Sequence, residues 1–126
     1  MTMELGEGER VQLLPAAALF RSLADPTRLA ILRRLAVAGP ARVVDLVAEL
    51  ELAQSTVSKH LACLSGCGLV GSRPVGRASM FSLAQPALSE LLAAAEQLLA
   101  ATGNAVALCP TYGRPVPGDI QVGTDS

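Results

Sequence analysis

Residues 43–70 read VVDLVAELELAQSTVSKHLACLSGCGLV, and apolar side chains keep helical spacing twice within them. Val43, Leu46, Val47 and Leu50 stand at i, i+3, i+4 and i+7, which predicts a short helix over 43–50. A second helix is predicted from near Ala53 to Ser55 as far as Cys67, with Val57, Leu61 and Leu64 on its buried stripe and Gly68 as the left-handed stop. Only Glu51 and Leu52 remain to connect them, so the two helices must turn sharply onto each other as a helix-turn-helix.

Upstream, ADPTRLAILRRLAVAGP (24–40) carries its own punctuation: Asp25 as N-cap, Pro26 at the first helical position, Leu29, Leu32, Leu35 and Ala36 along one face, and Gly39 and Pro40 as the stop. VQLLPAAALFRSL (11–23) predicts another helix, with Pro15 tolerable only in its first turn. Downstream, LVGSRPVGRASMFSL (69–83) predicts strands over 69–73 and 78–83 around the turn PVGR, a β-hairpin wing. A long helix over 86–102 follows, with Leu88, Leu91, Leu92, Ala95, Leu98 and Leu99 in a broad stripe. Ala93, Ala94 and Ala101 lie on its other sides, which makes it too apolar for a solvated surface and places it, with the first helix, in a dimer interface.

The expected architecture is therefore mostly α with a β-hairpin wing: a homodimeric winged helix-turn-helix of four helices, two strands and a last helix. Residues 1–10 are expected as a disordered lead, 11–103 as the dimer-forming domain, and the Gly- and Pro-rich 104–126 as a flexible tail carrying Cys109.

At 126 residues the chain has the length of one domain, and its 51% apolar content without Trp implies a core of Leu, Ala and Val. No apolar run approaches the roughly 18 residues of a membrane span, and MTMELGEGER is acidic rather than a basic leader, so a soluble, cytoplasmic protein is expected. Three cysteines, two of them four apart on one helix, fit free thiols better than a disulfide scaffold.

The net charge of −1 argues against nucleic acid only until its distribution is read. From Leu52 to Ser89 there is no Asp or Glu, while Lys59, Arg73 and Arg77 add three positive charges and leave −4 on the remainder. The second helix of a helix-turn-helix enters the major groove with its N-terminal part, where small polar and basic side chains reach base edges and phosphates. Gln54, Ser55, Thr56, Ser58 and Lys59 supply that set, and Arg73 and Arg77 bracket the wing tip. The partner implied is double-stranded DNA.

LADPTRLAILRRL (23–35), followed by STVSKHLACLSGCGLV (55–70) and a wing, resembles the ArsR/SmtB family of winged helix-turn-helix repressors over about residues 14–103. The resemblance implies a homodimer on a palindromic operator, released by a metal ion or another inducer. Two metal sites familiar in that family have no counterpart here. Val43, Val44 and Asp45 replace the thiol box of the third helix, and the last helix offers only Glu90 and Glu96, with no His.

What remains is Cys63, Cys67 and Cys109. Side chains four apart share a helix face, and relative to Val57 the pair lies at about −120° and about −80°, on the flank of the buried stripe. This resembles the actinobacterial cadmium- and lead-sensing branch, which pairs two recognition-helix cysteines with a third near the C-terminus, donated across the dimer. The implied inducer is Cd(II) or Pb(II), with As(III) as an alternative, since soft ions prefer thiolates. His60, one turn before Cys63, reads as a packing or DNA-contacting residue, a fourth-ligand role being left open. A thiol-redox switch on the same fold is the competing reading. A thiol enzyme or metal carrier has little support, because there is no CxxC and the sole His lies in the helix expected to read DNA.

Overall fold

A computed structural model describes residues 6–106 and Leu108. Its elements are α1 (Glu7–Gln12), α2 (Leu14–Ser22), α3 (Pro26–Ala38), α4 (Val43–Leu50), α5 (Gln54–Gly66), β1 (Val70–Val75), β2 (Ala78–Leu83) and α6 (Pro86–Ala101). The mostly helical architecture with one antiparallel hairpin is the one expected, with one helix more. No helix among the described residues is long and apolar enough to cross a membrane.

The extra helix is α1, which begins inside the stretch expected to be a disordered lead. The Glu9 carboxylate accepts from the Gly6 N–H at 3.0 Å, and Glu7 and Glu9 both sit in the first turn, where acidic groups complement the helix dipole. The chain expected as one helix over 11–23 is thus divided between α1 and α2. Pro15 has no N–H to offer the Val11 carbonyl, so the helix breaks at Leu13 and restarts with Pro15 in its first turn.

α3 follows its sequence signals. The Asp25 carboxylate accepts from the Arg28 N–H at 3.0 Å, and Gly39 ends the helix at φ +88°. α4 is capped through the Arg42 N–H to Asp45 (2.9 Å) and ends at Glu51, whose φ of +56° is left-handed and turns the chain towards α5. α3 and α4 are also clamped by an ion pair between Arg34 and Glu49. At the end of α5, Gly68 at φ +78° lets the Leu69 N–H reach back to the Leu64 carbonyl (3.0 Å), which closes the helix and launches β1.

Ile31, Leu32 and Leu35 of α3, Leu46 of α4, Val57, Leu61 and Leu64 of α5 and Leu88 of α6 form one core. This core holds α5 on its apolar stripe of Val57, Leu61 and Leu64. The hairpin pairs Val70 with Leu83 through to Val75 with Ala78, so its loop is only Gly76 and Arg77, tighter than the expected PVGR turn. Gly76 takes φ +64°, as a two-residue loop demands, and Pro74 stays in β1 because a two-stranded ribbon leaves one edge without ladder bonds. A bridge absent from the sequence reading ties the α3–α4 connection to the wing: Ala41 and Phe81 exchange both backbone hydrogen bonds, at 2.9 and 2.8 Å.

On α6 the expected stripe holds for Leu88 and Leu92, which are buried, but Leu98 is 67% exposed. Glu96 is buried instead, its carboxylate accepting from the backbone N–H of Leu108, which itself packs on Leu92.

Candidate nucleic-acid interface and thiol pair

α5 presents three faces. Its buried stripe of Val57, Leu61 and Leu64 fixes its rotation against the core. With that rotation set, Gln54, Ser55, Ser58 and Lys59 are exposed and Thr56 is half-buried. Four of the five expected DNA-facing side chains therefore point to solvent from the first turns of the second helix of the helix-turn-helix. Arg73, on β1, and Arg77, in the hairpin loop, are also exposed. Among the described residues, none of Lys59, Arg73 and Arg77 belongs to an ion pair, so their charge is available to an anionic partner.

The third face carries Cys63 and Cys67. Both are free and exposed, and both turn towards the corner between α2 and α3. Cys67 Sγ lies 3.0 Å from Ser22 Oγ, and Cys63 Sγ accepts from Arg28 Nη1 at 3.5 Å. Cys67 stands just beyond the last residue of α5, and its N–H still bonds to the Cys63 carbonyl at 3.1 Å, so the two thiols keep helical stacking. His60 lies one turn earlier and meets the same corner, its Nε2 3.8 Å from Asp25 Oδ2. Its Nδ1 is buried and finds no partner among the described residues. The hydrogen bond from the Arg28 backbone, with His60 and Arg28 nearby, holds the Asp25 carboxyl below its ordinary value.

As a donor set, the two thiols suit a soft ion: two sulfurs on one flank and open to solvent. They do not complete a site alone. Among the described residues no group of three or more His, Cys, Asp or Glu side chains is placed to hold a metal. Cys109, the expected third ligand, lies outside the described residues. Ser22 and Arg28 were not singled out from the sequence. Their partners are 45 and 35 residues away, and no local pattern announces such a contact.

Comparison with known proteins agrees with this geometry. The family model described as bacterial regulatory protein, arsR family, matches residues 25–72, from the α3 cap to β1. A probable mercury resistance operon repressor of Streptomyces lividans is 38% identical over 104 residues, which cover 82% of this chain and 78% of the relative. The HTH-type transcriptional regulator CmtR of Mycobacterium tuberculosis is 44% identical over 85 residues, 68% of this chain and 71% of that one. Among solved structures, a homodimeric winged helix-turn-helix DNA-binding domain from Mycobacterium bovis, described as a possible ArsR-family regulator, superposes with a TM-score of 0.66. It is 26% identical, and the match covers 79% of this chain and 91% of that one.

Proposed function

The chain belongs to the arsR family of bacterial regulatory proteins, and from that premise we propose that it is a homodimeric, metal-responsive repressor. The family and its structural neighbours are DNA-binding transcriptional regulators, not enzymes. In our reading the free dimer binds a palindromic operator through Gln54, Ser55, Thr56, Ser58 and Lys59 in the major groove and Arg73 and Arg77 on the phosphates.

The observation that carries metal sensing is the pair of exposed thiols on the flank of α5, the helix that would read the DNA. Cys63 and Cys67 would hold a soft ion, Cd(II) or Pb(II), with Cys109 as third ligand. Thiolate ligation selects such ions over hard ones and makes affinity rise with pH, because protons are released. Whatever those sulfurs bind leans on α5, so a ligand that prefers the free shape of the dimer over the DNA-bound shape lowers operator affinity. Gly66 and Gly68 bracket Cys67, so the end of α5 yields at little cost. The mercury-resistance name of the Streptomyces relative places Hg(II) beside Pb(II) and As(III) among the ions to compare.

The test is operator binding by gel shift under strict reduction. Cd(II) is expected to weaken wild-type binding about 5- to 150-fold, the range of an ordinary allosteric coupling. Cys63→Ser and Cys67→Ser should each keep operator binding and lose the release. Full release in both variants refutes the site, and release by oxidant alone, with no response to any soft ion, favours the redox switch.

A further inference from the structure

Cys63 on α5 and Cys67 just beyond its end touch the same corner of the fold, and their partners there belong to α2 and to the start of α3. Ser22 stands in the last turn of α2 and is only 7% exposed. Its Oγ donates to the Ala18 carbonyl at 3.0 Å and lies 3.0 Å from Cys67 Sγ. Arg28 reaches Cys63 Sγ with Nη1 while its Nε donates to the Ser22 carbonyl at 2.8 Å and its Nη2 to the Arg21 carbonyl at 3.5 Å. One guanidinium thus caps the C-terminal carbonyls of α2 and contacts a sulfur of α5.

A hydroxyl has a single proton. With that proton on the Ala18 carbonyl, Ser22 meets Cys67 as an acceptor of its S–H. A sulfur engaged elsewhere has no S–H to give, and Ala18 O and Cys67 Sγ then compete for the one Ser22 proton. The Arg28 contacts are linked in the same way: a sulfur that shifts draws on a group that also holds the end of α2. α2 carries Leu14 and Phe20, large apolar side chains left exposed on this protomer.

We propose that Ser22 and Arg28 are positioning residues that tie the thiol pair on the DNA-reading helix to the dimer-forming helix α2, so that both helices respond to the state of the two sulfurs. The proposal rests on the sensor reading of Cys63 and Cys67 given above.

The experiment uses the full-length protein with Ser22→Ala, Ser22→Thr and Arg28→Lys. In the reduced, metal-free protein, alkylation of Cys67 by iodoacetamide, followed by mass spectrometry, should run about three- to tenfold faster in S22A, the size one net hydrogen bond implies, and return to the wild-type rate in S22T. The ratio of operator affinities without and with Cd(II) should fall from its wild-type value of about 5 to 150 towards one in S22A and R28K and recover in S22T. Thiolate-to-cadmium absorption should persist in all three, which separates lost coupling from lost ligands. A wild-type release ratio in both S22A and R28K overturns the proposal, as does an unchanged alkylation rate in S22A. A wild-type protein that cadmium fails to release refutes the sensor reading instead, and the alkylation rates then still decide whether Ser22 holds the Cys67 thiol.

Discussion

Asp25 caps α3 and also faces His60 of the DNA-reading helix, so its charge bears on how α3 and α5 sit together. Its carboxyl is held below the ordinary aspartate value, first by the hydrogen bond from the Arg28 backbone and then by His60 and Arg28. A depressed carboxylate contributes stability that is fully present above its unfolded value and is lost as pH falls through its folded value. Asp25→Asn keeps an equally good N-cap but removes the charge. The thermal midpoint of the variant, measured by circular dichroism from neutral pH into acid, should fall less steeply than that of the wild type over that window. Parallel acid limbs would show that the cap geometry, not the charge, is what matters. The cap itself is legible in the sequence because Asp25, Pro26 and Arg28 are neighbours in the chain. The corner it shares with Ser22, Cys63 and Cys67 is not, because that corner exists only after α5 has packed against α3.

The same distinction runs through the elements. The helix-turn-helix can be read from spacing alone, since Val43 to Leu50 and Val57 to Leu64 each state a period and the connection between the helices, residues 51–53 in the structure, is short. Glu51 at left-handed φ is the geometric consequence. The break at Leu13 and the tight wing loop are less legible, because each depends on a proline whose tolerance is set by what lies around it: Pro15 ends one helix and starts another, whereas Pro74 is simply absorbed into an edge strand. The wing and α5 together carry Lys59, Arg73 and Arg77, the three cations of the acid-free stretch 52–89. If Lys59, Arg73 and Arg77 of both protomers neutralise six phosphates, log K for operator binding should fall against log salt with a slope of about −5. Arg77→Ala removes two of those charges per dimer and should flatten the slope by about 2 without altering which sequence is preferred. Fluorescence anisotropy across a salt series measures it, and an unchanged slope would take the hairpin loop off the DNA.

At the scale of the whole molecule, the described residues leave several large apolar side chains exposed, which supports the proposed dimer. α3, α4, α5 and the hairpin share the core, whereas α1, α2 and much of α6 lie at its edge with few contacts to it. Exposed apolar side chains on those edge helices include Val11 on α1, Leu14 and Phe20 on α2, and Leu98 on α6, while Val37, Val44 and Val75 are exposed on α3, α4 and β1. The sequence reading already assigned the first and last helices to a dimer from composition. It placed Leu98 in a continuous stripe with Leu88 and Leu92, and the structure separates them, Leu88 and Leu92 facing inward and Leu98 outward. That separation sharpens the expectation, because an outward leucine can be replaced without opening the protomer's own core. Phe20→Glu and Leu98→Glu should each keep helical circular dichroism, sediment as monomer at concentrations where the wild type sediments as dimer, and weaken operator binding at least about tenfold by losing the second half-site. A Leu98→Glu protein that remains dimeric would move the interface off α6, and one that dimerises but no longer responds to cadmium would instead place Leu98 in the path between the thiols and the partner protomer.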